Sequence, residues 1–92
     1  MTEKKIEQKL IKAIRNFGGL ALKFISPGFV GAPDRIILFP GGRSVFAELK
    51  SPEGKMRPIQ VRRKQQLENL GFKVFVINSE TEIEMITRQE LK

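Results

Sequence analysis

The sequence predicts an α/β fold, with a mixed central sheet flanked by helices in a single domain spanning residues 1–92. Two observations support this prediction. The apolar periodicities run in the order helix, three strands, helix, strand and a short carboxy-terminal helix. Residues 35–39 and 45–49 are nearly continuous apolar runs, which are typical of strands covered on both faces. The helix between the second of these runs and the last strand is a crossover, so we expect one parallel pair of strands.

The first helix is predicted over residues 3–17, with Thr2 as its cap and Gly18-Gly19 at its end. Its apolar stripe recurs at helical spacing and comprises Ile6, Leu10, Ala13, Ile14 and Phe17. Glu7 borders this stripe. A carboxylate there is either a solvated flank of the helix or a group directed toward a metal ion near the edge of the core.

A short strand follows over residues 20–25. Lys23 within it is most simply a charge that protects a sheet edge from aggregation. The next segment, SPGFVGAP at residues 26–33, is rich in Pro and Gly and predicts a sharply turning loop. Pro33 keeps the approach to Asp34 extended.

The stretch GAPDRIILFPGGRSVFAELK, residues 31–50, is predicted to be a hairpin turning at Pro40-Gly41-Gly42. If the hairpin is symmetric about Gly41, Asp34 lies opposite Glu48, with their Cβ atoms roughly 5 Å apart. A slip of one residue would break this register. Glu48 and Lys50 share a face because strand side chains alternate. Two neighbouring carboxylates repel, so we expect a cation between them, either a divalent metal ion or the ammonium of Lys50.

The chain after the hairpin begins with a basic loop over residues 51–57, followed by a helix over 58–70 that starts at Pro58. Gln60 lies in the first turn of this helix. It either orients a water or a phosphate or is a solvated polar residue, and the helix alone favours the second reading. A buried strand over 73–77 and a helix capped by the Ser79 to Glu82 box complete the chain. The inward residues of this last helix are predicted to be Ile83, Ile86 and Leu91.

The composition limits the chemistry of any site. There is no cysteine and no histidine, so a thiolate zinc site and a histidine general base are both excluded. A metal site must use oxygen ligands, which suit Mg²⁺ or Mn²⁺. The net charge of +7 favours a polyanionic partner, above all nucleic acid, over a merely solubilising surface. Tyr and Trp are absent, which argues against a base-stacking platform. No apolar run is long enough to span a membrane.

The chain resembles the VRR-NUC branch of the PD-(D/E)xK nucleases almost from end to end. The resemblance lies in the early helix with Glu7, in LALKF, in SPGFVGAPDRIIL, in the PGG turn, in VFAELKSPEGK and in PIQ followed by RRKQQLENLGFKVFVI. The basic KMR segment before Pro58 departs from the family pattern. The resemblance implies a restriction-endonuclease-like αβββαβ core and a phosphodiesterase that acts on DNA with Mg²⁺ or Mn²⁺.

The same resemblance implies roles for individual residues. Asp34, Glu48 and the carbonyl of Leu49 would bind the metal ion, with Glu7 helping directly or through water. Lys50 would position or deprotonate the attacking water, and Gln60 would lie at the rim of the site. The predicted DNA contacts are the cations Lys23, Arg35, Lys55, Arg57, Arg62, Arg63 and Lys64.

Stand-alone members of this branch resemble viral or bacterial enzymes of DNA repair that act as homodimers on branched DNA. The resemblance therefore implies a homodimer that resolves four-way (Holliday) junctions in the cytoplasm of a bacterial or phage-infected cell. Phe29, Val30 and the last helix are candidates for the dimer surface. Two alternatives stay open: a less selective nuclease for flaps, nicks or single strands, and a non-catalytic DNA-binding module.

Overall fold

The computed structural model describes residues 1–90 of the protein, with side chains as far as Arg88. The sheet has four strands in the order β1-β2-β3-β4. This architecture confirms the predicted fold class, and the predicted boundaries agree with the observed ones to within two residues. In chain order the elements are α1 (Glu3–Asn16), β1 (Leu20–Lys23), β2 (Arg35–Leu38), β3 (Ser44–Leu49), α2 (Pro58–Asn69), β4 (Val74–Ile77) and α3 (Glu80–Glu90).

The pairing of the strands follows from the connections between them. β1 and β3 both pair with β2 in antiparallel fashion, because no helix between consecutive strands carries the chain back across the sheet. β3 and β4 are parallel, because α2 carries the chain back across the sheet between them. The mixed sheet that the crossover helix predicted is therefore present.

The hairpin of β2 and β3 has the predicted register, with Ile36 opposite Phe46. At its tip, the Phe39 N–H donates to the Arg43 carbonyl at 2.8 Å. Gly41 and Gly42 both have positive φ, at 91° and 85°, a conformation that side-chain-bearing residues rarely adopt. The two glycines thus set the turn, and the turn sets the register of the two strands.

One face of the sheet carries the core. Helix α1 is capped by the Thr2 hydroxyl, which accepts from the Lys5 N–H at 3.2 Å. Helices α1 and α3 pack on this face through aliphatic side chains, as predicted, but Phe17 of the predicted stripe is 49% exposed. Leu91 lies outside the described residues. The buried core cluster consists of Ile6, Leu10, Ile14, Ala21, Ile37, Phe39, Val45, Ala47, Leu49, Ile77, Ile83 and Ile86.

The other face is covered less completely than the sequence predicted. Phe72, just after α2, packs edge-on against Phe46 with the ring centroids 5.6 Å apart. Residues 45–49 of β3 are buried, so the expectation of strands covered on both faces holds there. It is wrong for β2, where Leu38 is exposed, and the neighbouring Leu20 and Leu22 of β1 are exposed as well. Apolar sequence alone does not reveal how far one crossover helix reaches across a sheet.

Within residues 1–90, no helix combines the length and the apolar character needed to cross a membrane.

Candidate active site

The carboxyl groups of Asp34 and Glu48 meet at the open end of the hairpin. The observed pairing of Arg35 with Ala47 places the preceding residue, Asp34, opposite Glu48. The Asp34 Oδ2 atom accepts from the Leu49 N–H at 2.8 Å, which fixes the orientation of this carboxylate. A side-chain hydrogen bond links Glu48 to Asp34. The structure thus brings together the two acids that the sequence predicted to be neighbours.

Glu48 is the more strongly perturbed member of this pair. Its side chain is 1% exposed, and its Oε1 atom is buried without a hydrogen-bond partner. Burial is the largest cause, and together with the hydrogen bond and negative charge of Asp34 it raises the pKa of Glu48 from 4.5 to about 8. Without a bound cation, Glu48 therefore keeps its proton near neutral pH.

Lys50 lies two residues after Glu48, so its side chain is on the same face of the sheet. Its side chain is half-buried, and its backbone N–H donates to the Ile77 carbonyl at 3.0 Å. The positive charge of Lys50 lowers the pKa of Glu48 and so opposes the larger effect of burial. An ammonium group therefore accompanies the acid pair but does not neutralise it.

Glu7 is not brought to this pair. Its Oε2 atom accepts from Arg35 Nε at 3.3 Å and lies 3.1 Å from a terminal nitrogen of the same guanidinium. Arg35 belongs to the face of β2 that packs on α1, whereas Asp34 belongs to the other face. Among the described residues, no group of three or more acidic side chains is arranged to hold a metal ion. The role of Glu7 toward a metal stays a prediction.

Glu3 is an acid whose influence the sequence did not suggest. Its negative charge is one of the causes that raise the pKa of Glu48. The first turn of α1 therefore lies close enough to the acid pair to act on it electrostatically. In the sequence Glu3 is only an acidic residue in the first turn of a helix. Such a residue usually interacts favourably with the helix dipole.

Gln60 is buried rather than solvated, at 7% exposure. Its Oε1 atom accepts from the Arg57 N–H at 2.8 Å, so the side chain caps the amino terminus of α2. The structure gives Gln60 a local structural contact, and its predicted place at the rim of the site stays a prediction.

The cations predicted to contact DNA fall into two groups. Arg35, Arg63 and Lys64 already bind groups of the protein, in the last case Glu68 at 3.0 Å. The other predicted contacts have exposed side chains, and these are Lys23, Lys55, Arg57 and Arg62. The second group is the better candidate for a phosphate-binding surface.

Comparison with known proteins decides the family. The protein "Putative nuclease p44" of Acyrthosiphon pisum secondary endosymbiont phage 1 is 42% identical over 78 residues, which span 85% of this chain and 84% of that protein. A solved structure described as a VRR_NUC domain matches with a TM-score of 0.86 and 27% identity, covering 96% of this chain and 97% of that one. The chain belongs to the VRR-NUC family. No family model matches this VRR-NUC chain.

The donor atoms of this VRR-NUC site suit a hard divalent cation. Asp34 and Glu48 supply carboxylate oxygens, and the backbone carbonyl of Leu49 follows directly in the chain. Buried polar atoms are nearly always hydrogen-bonded, but the Oε1 atom of Glu48 has no hydrogen-bond partner. This oxygen is therefore a good candidate to bind a ligand. A cation would take the place of the proton that Glu48 otherwise holds.

We expect the metal-free protein to lose stability as the pH rises from about 4.5 to about 8. The folded state holds the Glu48 proton more tightly than the unfolded chain, so this contribution is complete below the unfolded pKa and is lost as the pH passes the folded one. The slope approaches about 1.4 kcal/mol per pH unit for one proton. Urea unfolding in EDTA across this range measures it.

The matched variant is Glu48→Gln, which keeps the shape of the side chain but cannot ionise. Its stability should be nearly independent of pH over the same range, and it should exceed that of the wild type at pH 8. Equal slopes for the two proteins would contradict the assignment of the proton to Glu48.

Proposed function

We propose that this protein is a divalent-metal-dependent endonuclease that hydrolyses phosphodiesters in branched DNA, with four-way (Holliday) junctions as its preferred substrate and a homodimer as its active form. The observation that carries the proposal is the Asp34–Glu48 pair, with its buried unpartnered oxygen and Lys50 on the same face. Membership of the VRR-NUC family supports the nuclease assignment.

Asp34, Glu48 and the carbonyl of Leu49 would hold Mg²⁺ or Mn²⁺. When bound, such an ion lowers the pKa of a coordinated water and stabilises the charge that develops on the phosphate in the transition state. The Leu49 N–H keeps one oxygen of Asp34 in place. Glu7 would have to leave Arg35 before it joined these ligands.

Lys50 would contribute in two ways. As an ammonium it would orient the attacking water and offset the negative charge that builds up on the phosphate, and as a neutral amine it would accept the proton of that water. Because it is half-buried, it is shielded from bulk water and its electrostatic effect is stronger than that of a surface lysine. Phosphodiester hydrolysis by this set of groups requires no histidine.

DNA would be bound by the cations that the protein leaves exposed. Lys55 and Arg57 lie on the loop before α2, and Arg62 lies on the helix itself. Their contacts would be to phosphates, which position the substrate without reading its sequence. Selectivity would then come from DNA shape, as a branched substrate requires.

A homodimer would match the twofold symmetry of a four-way junction and would supply two sites for two strand cuts. The exposed leucines at positions 20, 22 and 38 form an apolar surface of the kind that a second copy would cover. Val30 is also exposed, at 68%. In contrast, the guanidinium of Arg63 packs over the ring of Phe29.

The decisive test is a panel of labelled substrates at equal concentration, with Mg²⁺ or Mn²⁺, that includes four-way junctions, flaps, nicked duplexes, linear duplexes and single strands. We expect the junction to be cut fastest, and sedimentation equilibrium should give the mass of two chains. Equal rates on all substrates would instead identify a less selective nuclease. Salt-sensitive binding that is indifferent to metal, with no cutting, would identify a DNA-binding module.

A further inference from the structure

The loop of residues 26–33 is the segment that delivers Asp34 to the site. It folds through two consecutive turns, in which Phe29 N–H donates to the Ser26 carbonyl at 2.9 Å and Ala32 N–H donates to the Phe29 carbonyl at 3.2 Å. It ends at Pro33, which is buried and immediately precedes Asp34. The loop is therefore joined directly to Asp34, at the point where β2 begins.

Arg63 of α2 contacts this loop at two adjacent residues. Its Nε atom donates to the Val30 carbonyl at 2.7 Å, and its guanidinium carbon lies 4.4 Å from the centroid of the Phe29 ring. A terminal nitrogen donates to Gln66 at 2.8 Å, which fixes the plane of the guanidinium. A planar group with several donors can bond and stack at once, which a lysine ammonium cannot do as well.

Gly31 provides an independent sign of close contact between the loop and α2. It has a φ of +86°, and a Cβ atom placed on it would lie 2.8 Å from the side chain of Ile59. The backbone of the loop thus lies directly against the first turn of α2.

We infer that Arg63 is a positioning residue, which holds the 26–33 loop against α2 so that Asp34 faces Glu48 before a cation binds. The inference rests on the proposed function, in which Asp34 holds that cation. It also differs from the sequence-based assignment of Arg63 to DNA binding, because Nε and one terminal nitrogen of this guanidinium already donate to groups of the protein.

The neighbouring residue, Arg62, supplies a matched control. It carries the same charge at the preceding position, and its side chain is exposed. We expect Arg63→Ala to weaken Mn²⁺ binding by the DNA-free protein at least tenfold, as loss of a supporting contact around a metal site typically does. Arg62→Ala should bind Mn²⁺ as the wild type does, with both affinities measured by calorimetry.

For the salt dependence of DNA binding, measured in EDTA, we expect an effect of Arg62→Ala and none of Arg63→Ala. Arg62→Ala should reduce the slope of log affinity against log salt by about 0.9, the value for one lost phosphate contact, whereas Arg63→Ala should leave the slope unchanged. Arg63→Lys should recover part of the Mn²⁺ affinity, because it restores a donor and a cation. Wild-type Mn²⁺ affinity in Arg63→Ala together with a reduced slope would overturn the inference.

Three further outcomes are distinguished by the same measurements. If Arg63→Ala fails to fold, Phe29→Leu removes the ring and spares the hydrogen bond to Val30, and it should also weaken Mn²⁺ binding; unchanged affinity in that variant overturns the inference. If the wild type binds Mn²⁺ but cuts no DNA, the proposed function fails while the comparison of Arg63 with Arg62 still stands. A wild type that binds no Mn²⁺ overturns both.

Discussion

Replacement of Lys50 by alanine should slow DNA cleavage by about a thousandfold at saturating DNA and metal ion, the scale of a lost proton-transfer group and its charge. The change removes the ammonium that shares a face with Glu48, while the backbone of β3 stays bonded to Ile77. DNA affinity should change little, because the phosphate contacts are assigned to other cations. Single-turnover cleavage and binding in EDTA measure the two quantities separately.

Lys55→Ala is the matched control, since it removes one exposed lysine from the adjoining loop. It should weaken binding in a salt-dependent way and leave the turnover rate unchanged. Lys50→Ala has a second expected effect, because the charge of Lys50 lowers the pKa of Glu48. In the variant this pKa should rise, so Mn²⁺ binding should shift to higher pH. Cleavage by Lys50→Ala at the wild-type rate would remove Lys50 from the mechanism.

The acid pair was predictable because its causes are local in the sequence. The Pro40-Gly41-Gly42 turn fixes the hairpin register, and this register places the backbone of Asp34 opposite that of Glu48. The alternation of side chains along β3 then puts Lys50 on the face of Glu48. Each step depends on residues within one hairpin, so no knowledge of distant contacts was required.

The partners of the arginines were not predictable in the same way. Arg35 pairs with Glu7, 28 residues away, and Arg63 binds the Val30 carbonyl, 33 residues away. Both contacts depend on how helices dock on the sheet, which apolar periodicity does not specify. Charge alone assigned these arginines to DNA, and the structure adds contacts within the protein that the sequence did not reveal.

The open face of β1 and β2 shows a related limit. Leu20, Leu22 and Leu38 have the same apolar character as buried strand residues, yet they are exposed. An apolar pattern predicts that a surface is shielded from water. It does not show whether the same chain or another molecule covers that surface. For this reason the proposed dimer gains its support from the structure rather than from the strand pattern.

The second large effect concerns Asp34→Asn, which should reduce Mn²⁺ affinity and cleavage by about a hundredfold or more, because one of two anionic ligands becomes neutral. The fold should be retained, since the amide oxygen of asparagine can still accept the Leu49 N–H that now binds Asp34. Calorimetry with Mn²⁺ and cleavage assays measure the losses, and urea unfolding checks the fold.

Glu53→Gln is the control for this variant, because it removes one negative charge from an exposed position on the loop after β3. It should bind Mn²⁺ and cut DNA as the wild type does, which separates a specific ligand from a general change in net charge. Asp34→Asn should still bind DNA in EDTA, since the loss of a negative charge does not weaken contacts to phosphate. If Asp34→Asn bound Mn²⁺ with wild-type affinity, the two carboxylates would not form a shared cation site, and the nuclease mechanism proposed for this hairpin would fail with it.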